Sequence, residues 1–122
     1  MPLQEWSEST LIAELSDEPL FSEEFEALMG RLEAPDDDVP DVIVNLLGVS
    51  RLNSSNLAQL LRLRKKLLAH DRRLRICSVD ATLWSVFMVT GLEKLFAFTD
   101  DVATSLASLQ IESRRQARGI AD

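Results

Sequence analysis

The chain has 122 residues, of which 46% are hydrophobic and 27% charged, with a formal net charge of −7 at pH 7. This size suits one domain, and the composition excludes a disordered chain. The negative charge excludes general nucleic-acid binding. The sequence has no apolar run of roughly 20 residues and no basic leader, which excludes membrane insertion and predicts a cytoplasmic protein.

A β-hairpin is predicted at the start of the chain. Residues 3–6 and 10–15 are rich in apolar side chains and flank the polar residues 7–9, which is typical of two strands joined by a turn. Pro19 and the two acids before it end the second strand. The outer edge of this hairpin could pair with a second copy, which leaves a homodimer open.

A first helix follows, because Phe25, Leu28, Met29 and Leu32 recur at the spacing of one helical face. Ser22 is the expected N-cap, and Glu23 and Glu24 are favourable in a first turn. Residues 34–40 hold three aspartates between two prolines and are predicted to form a solvated loop.

The next segment, residues 42–47, is almost continuously apolar and β-branched, which predicts a central strand covered on both faces. A second helix is predicted over residues 54–70, with Leu57, Leu60, Leu61 and Leu68 as its buried stripe. A short strand over residues 74–79 follows.

The last elements are a helix over residues 81–89 that Gly91 ends, a short strand over residues 96–99, and a helix capped by Asp100 or Asp101. The buried face of this helix carries Val102, Leu106 and Leu109. The predicted order ββαβαβαβα indicates an α/β fold, a mixed sheet with helices packed against it. We expect one domain over residues 1–109 and a helix extension or frayed tail over residues 110–122.

Catalytic, metal and cofactor sites find little support. The only histidine, His70, lies at the predicted end of a helix, where a cation is favourable, and the only cysteine, Cys77, lies in an apolar stretch typical of a buried thiol. Adjacent acids such as Asp100 and Asp101 are better explained as helix caps than as a catalytic pair. With no phosphate-binding glycine motif present, we expect no enzyme activity, no metal and no cofactor.

Charge is distributed unevenly along the chain. Residues 1–41 carry a net charge of −12, residues 42–75 carry +7, and the remainder carries −2. The basic stretch could face an acidic partner, but we favour a solvated surface for its side chains, which are Arg62, Arg64, Lys65, Lys66, Arg72, Arg73 and Arg75.

The most informative segment is residues 52–57, Leu-Asn-Ser-Ser-Asn-Leu, between the central strand and the second helix. Serine hydroxyls here lie beside backbone N–H groups that have no intrahelical acceptor, so an added phosphate would meet a partly positive helix terminus. From the local sequence alone, the simpler interpretation, a capping role worth about 1 kcal/mol, is favoured.

Residues 41–46, residues 52–57 and the later stretch 83–96 together resemble the STAS domain of the bacterial anti-sigma factor antagonist family. The resemblance rests on a central strand followed by a turn similar to Asp-Ser-Ser-Gly, and on a downstream helix with a Thr-Gly-Leu turn. Asn53 stands where the family usually has Asp, and Asn56 where it usually has Gly.

The resemblance implies a protein-binding module of a partner-switching pathway, in which a serine kinase that acts as anti-sigma factor phosphorylates the antagonist. By position, the phosphoacceptor is Ser55, with Ser54 as second choice, and Asn53, Ser54, Ser55 and Asn56 form the partner-binding edge. The alternative is a STAS scaffold that is not phosphorylated, or a STAS subunit of an ABC-type lipid transport system, which the two asparagines favour.

Overall fold

The computed structural model describes residues 3–33 and 39–117, with side chains to residue 114, and the predicted loop at residues 34–40 falls largely outside them. The elements are β1 (Leu3–Ser7), β2 (Thr10–Ser16), α1 (Leu20–Arg31), β3 (Asp41–Gly48), α2 (Ser54–Ala69), β4 (Leu74–Cys77), α3 (Ala81–Thr90), a 3₁₀ turn (Leu92–Lys94), β5 (Phe98–Thr99) and α4 (Val102–Ala117). This order confirms the predicted α/β fold.

The five strands form one mixed sheet in the order β1-β2-β3-β4-β5. β1 and β2 form an antiparallel hairpin, whereas β2, β3, β4 and β5 run parallel to one another. Because parallel strands end at the same edge of a sheet, the loops that follow β2, β3, β4 and β5 gather at one edge. The segment predicted to bind a partner lies in this group of loops.

Side chains alternate between two cores along the central strands. Val42 and Val44 face the main core with α1, α2 and α3, while Ile43 faces a smaller cluster under α4. Residues 41–46 of β3 are all buried, as predicted for a strand covered on both faces. Cys77 is a buried thiol of the smaller cluster, where burial raises its pKa.

The ends of the helices confirm some predicted caps and correct one. Gly91 ends α3 with φ +76°, a left-handed conformation that favours glycine, and Asp101 accepts a 2.7 Å hydrogen bond from the Thr104 N–H. Ser22 as N-cap of the first helix is wrong. α1 begins two residues earlier, at Leu20, and Ser22 instead donates its hydroxyl hydrogen bond to Glu18.

The predicted stripe of α2 is wrong at Leu68, while Leu61 is partly buried against the main core. Leu57 and Leu60 are buried as expected, but Leu63 and Leu67 complete the buried face, and Leu68 is 57% exposed. Leucines occupy six positions of this helix, so their spacing fits more than one face, and only the sheet decides between them. The strands predicted at residues 74–79 and 96–99 are shorter than expected, at four and two residues.

The basic stretch is not a uniformly solvated surface, which corrects the prediction for three arginines. Arg72 and Arg73 pair with the buried Asp41 at 3.2 and 3.6 Å, and Arg75 pairs with Glu112 on α4. On α2, Arg62 and Lys65 are exposed as predicted, whereas Arg64 and Lys66 are half-buried, with Arg64 donating to the Leu95 carbonyl at 2.7 Å. Among the helices within residues 3–33 and 39–117, none is long and apolar enough to cross a membrane.

Candidate functional site

The first turn of α2 is closed by two asparagines that cap each other. Asn53 is the N-cap, and its Oδ1 accepts a 2.8 Å hydrogen bond from the Asn56 N–H. The Asn53 N–H in turn donates to Asn56 Oδ1 at 3.0 Å. This reciprocal arrangement is a capping box, in which two otherwise unpaired backbone donors are satisfied.

Asn56 lies under the helix start and is only 2% exposed. Its side-chain Nδ2 donates to Glu18 Oε2 at 2.9 Å and to Gln59 Oε1 at 3.2 Å. The side chain that replaces the glycine of the resembled motif therefore connects three segments of the chain. Asn56 therefore holds the first turn of α2 to the loop after β2, with almost none of its own surface exposed.

The two serines have the opposite environment. Ser54 and Ser55 are the first two residues of α2, and both are exposed. Within the described residues, neither hydroxyl makes a hydrogen bond. These hydroxyls stand at a helix N-terminus, where the first N–H groups have no intrahelical acceptor and an anion is favoured. The structure thus brings the four predicted site residues together but gives them two different roles.

Two carboxylates that sequence reasoning missed lie beside this turn. Asp17 accepts hydrogen bonds from the Ser50 hydroxyl at 2.6 Å and the Ser50 N–H at 2.8 Å, which hold its pKa below the ordinary value. Glu18 has a lowered pKa because it accepts bonds from the Ser22 hydroxyl and N–H and from Asn56. Both carboxylates are therefore charged at neutral pH and tie the loop after β2 to the loop after β3.

A signal for these acids exists in the sequence. If neighbouring parallel strands end at one edge, the residues that follow β2 must lie near those that follow β3. Together the two loops form a surface pocket of about 410 Å³, lined by Asp17, Glu18, Arg51, Leu52, Asn53 and Asn56. Ser54 and Ser55 lie in the chain between Asn53 and Asn56, two of the residues that line this pocket with two acids and one base.

The free energy of unfolding should depend far more on Asn56 than on Ser55, the residue before it. We expect Asn56→Ala to lower the free energy of unfolding by about 2 kcal/mol, because it removes the capping box and leaves polar partners unpaired. Urea denaturation measures this value. Ser55→Ala is the matched control and should change it by less than about 0.5 kcal/mol. Equal effects of the two substitutions would contradict the assigned roles.

The other titratable residues considered in the sequence form no site with these side chains. His70 is the C-cap residue of α2, at the opposite end of the helix from Ser54. Within residues 3–33 and 39–117, no cluster of three or more histidine, cysteine or acidic side chains could hold a metal ion.

Comparisons with known proteins agree with this geometry. The family model of the STAS domain matches residues 6–105. No curated protein matches the chain. An anti-sigma-factor antagonist (STAS) domain protein from Planctomyces limnophilus has a similar structure, with a TM-score of 0.76 at 15% identity, over 88% of this chain and 96% of that chain.

Two further structures have the same fold. A serine-to-glutamate variant of RsbS from Moorella thermoacetica has a TM-score of 0.73 at 11% identity, over 93% of this chain and 99% of that chain. The phosphorylated form of SpoIIAA, a cell fate determinant of Bacillus, has a TM-score of 0.64 at 18% identity, over 88% of this chain and 96% of that chain.

Proposed function

Since the chain belongs to the STAS domain family, whose model covers residues 6–105, we propose that it is an anti-sigma factor antagonist. In this proposal it is a cytoplasmic, non-catalytic binding module of a partner-switching pathway. Its partner is a serine kinase that also acts as anti-sigma factor. Phosphorylation of Ser55, at the start of α2, releases that partner.

The observation that carries the proposal is the exposure of Ser55 at the second position of α2, with its hydroxyl unbonded among the described residues. A kinase must reach the hydroxyl oxygen, and no internal hydrogen bond has to break first. The helix N-terminus tolerates the added phosphate, because its free N–H groups and the helix dipole favour an anion. Phosphorylation would therefore leave the fold intact.

Electrostatics explains how one phosphate could change binding at this edge. A phosphoserine carries about −1.5 to −2 charges at pH 7. It would stand beside a pocket that already contains the ionised Asp17 and Glu18. A partner whose basic residues fit the unmodified surface would meet a different charge, and a partner that packs closely against Ser55 would meet the bulk of the phosphate.

The neighbouring residues support this use of the surface in different ways. Asn53 fixes the start of α2 without adding a charge, and Ser54 offers a second exposed hydroxyl one residue earlier. Asp17 and Glu18 place carboxylates in the same pocket, where Asn53 has none. These acids could assist a kinase-bound Mg²⁺, a role for which carboxylate oxygens are suited.

A phosphotransfer experiment tests the proposal directly. The chain is incubated with ATP, Mg²⁺ and the serine kinase encoded beside it, and the product is mapped by mass spectrometry. We expect a single phosphate on Ser55 that disappears in Ser55→Ala and persists in Ser54→Ala. Phosphate on Ser54 alone would reassign the acceptor, and an unmodified chain would overturn the switch.

A second candidate function is a STAS scaffold that is not phosphorylated, including a subunit of an ABC-type lipid transporter. The observation that favours it is the buried Asn56, whose side chain stands at the position of the motif's glycine and makes three hydrogen bonds. Co-purification with an ABC permease and ATPase, unchanged by Ser55→Asp, would support the scaffold.

A further inference from the structure

A basic groove lies at the other end of α2. Its wall is formed by Arg64 and Leu68 of α2, Arg72 in the following loop, Leu74 and Arg75 of β4, and Leu95 before β5. We call the groove lined by these six residues, Arg73 and Glu112 the basic groove, and its volume is about 230 Å³. Leu68 is thirteen residues after Ser55 on the same helix, so the groove is about 20 Å from the phosphorylation site.

Positive charge is concentrated in this groove although the chain as a whole is acidic. Four arginines line it, with Glu112 as the only acid among its lining residues. The buried Asp41, which does not line the groove, neutralises part of this charge by pairing with Arg72 and Arg73. Burial, followed by the neighbouring Arg73, lowers the pKa of Arg75. Four arginines against Glu112 and Asp41 leave a local net charge of +2, although Arg64 Nε donates to the Leu95 carbonyl and Arg72 Nη2 to the Ser9 carbonyl.

The groove also offers apolar contacts and an open strand edge. Leu68 and Leu95 are 57% and 40% exposed, an unusual pair of leucines beside arginines. β5 pairs only with Ile76 and Cys77 of β4, so Leu74 and Arg75 have no β5 partner, and the Leu74 carbonyl instead accepts a 3.2 Å hydrogen bond from Arg75 Nη1. A backbone bound here would add to a strand edge that is only partly satisfied.

We propose that the basic groove is a second interaction surface, which binds an extended acidic segment of a partner protein. Carboxylates of the segment pair with Arg64 and Arg72, and one apolar side chain packs between Leu68 and Leu95. Long-range repulsion by the net charge of −7 acts on every anionic partner, and the exposed Leu68 and Leu95 beside the arginines favour a protein segment that carries an apolar side chain as well as carboxylates.

The proposal is tested by amide-resolved NMR titration with a blocked twelve-residue peptide of repeating Glu-Glu-Leu. We expect a Kd of about 1 mM or tighter, with shifts concentrated at Arg64, Leu68, Leu74 and Leu95. The double variant Arg64→Gln, Leu68→Ser should weaken binding at least tenfold, whereas Lys65→Gln, an exposed neighbour that does not line the groove, should change it less than twofold.

Several results would overturn the proposal. One is a Lys-Lys-Leu peptide that binds as tightly as the Glu-Glu-Leu peptide. The others are amide shifts spread over all basic residues, or no amide shifts in the groove of the wild-type chain. Stronger binding to phosphatidylglycerol vesicles than to the peptide would assign the groove to a membrane instead. If the double variant fails to fold, the pattern of shifts in the wild-type chain still tests the proposal. Phosphorylation of Ser55 is measured separately, so failure of the groove proposal can be told apart from failure of the phosphorylation proposal.

Discussion

Replacing Ser55 with aspartate is expected to weaken binding of the partner kinase at least tenfold, or about 1.4 kcal/mol. The substitution places a permanent charge on the exposed second residue of α2, next in the chain to Asn56, which binds Glu18. Aspartate near a helix N-terminus is stabilising, so the loss of affinity should occur without loss of folding. Calorimetry or surface plasmon resonance with the purified kinase measures the change.

Two controls separate a specific effect from a general effect of charge. Ser55→Ala removes the hydroxyl without adding charge, and its affinity should stay within about threefold of the wild type. Ala103→Asp places the same charge on the second residue of α4, which packs on the opposite face of the sheet. If Ala103→Asp weakens binding as much as Ser55→Asp, the docking edge is not at α2.

The largest loss of stability is expected at Asp41, the first residue of β3. Asp41→Ala should lower the free energy of unfolding by about 3 kcal/mol, because a buried carboxylate is removed from two arginines. Its Oδ1 accepts a 2.7 Å hydrogen bond from the Arg73 N–H and lies 3.2 Å from Arg72 Nε, at ion-pair distance without hydrogen-bond alignment. Without it, Arg72 and Arg73 lose this counter-charge close to the sheet.

An exposed ion pair on the same molecule provides the comparison. Glu26→Ala breaks the ion pair between Glu26 and Arg62, in which both side chains are more than half exposed. It should change the free energy of unfolding by less than about 1 kcal/mol. Urea denaturation of both variants gives the two values under identical conditions. If Asp41→Ala lowered the free energy of unfolding as little as Glu26→Ala, then Arg72 and Arg73 would be hydrogen-bonded to water or to other groups in the variant.

Local sequence rules predicted the parts of the fold that depend on local physics. The apolar run of β3 required burial on both faces, Gly91 supplied the left-handed residue at the end of α3, and Asp101 capped α4. The order of elements followed from these signals, and the resemblance to the STAS family added the location of the site. Ser22 failed as a cap because Glu18, four residues earlier, accepts its hydrogen bonds.

The missed features all depend on contacts between distant segments. Asp17 and Glu18 acquire a role only when β2 and β3 become neighbours, and they then bond to residues 33 and 38 positions away. Arg72, Arg73 and Arg75 were predicted to be solvated because helix periodicity cannot reveal a buried acid at the start of β3. For the same reason, the basic groove could not be inferred from the run of cations alone.

The reciprocal capping box has an evolutionary consequence, because the two asparagines differ in reversibility. At position 53 a return to aspartate keeps a side-chain oxygen for the Asn56 N–H, and the backbone bond in the other direction does not depend on that side chain. At position 56 a return to glycine would remove every bond that this side chain makes to residues 18, 53 and 59. Asn53→Asp would therefore restore the residue of the resembled motif with its capping bond kept, whereas Asn56→Gly would restore the motif only by losing three side-chain hydrogen bonds.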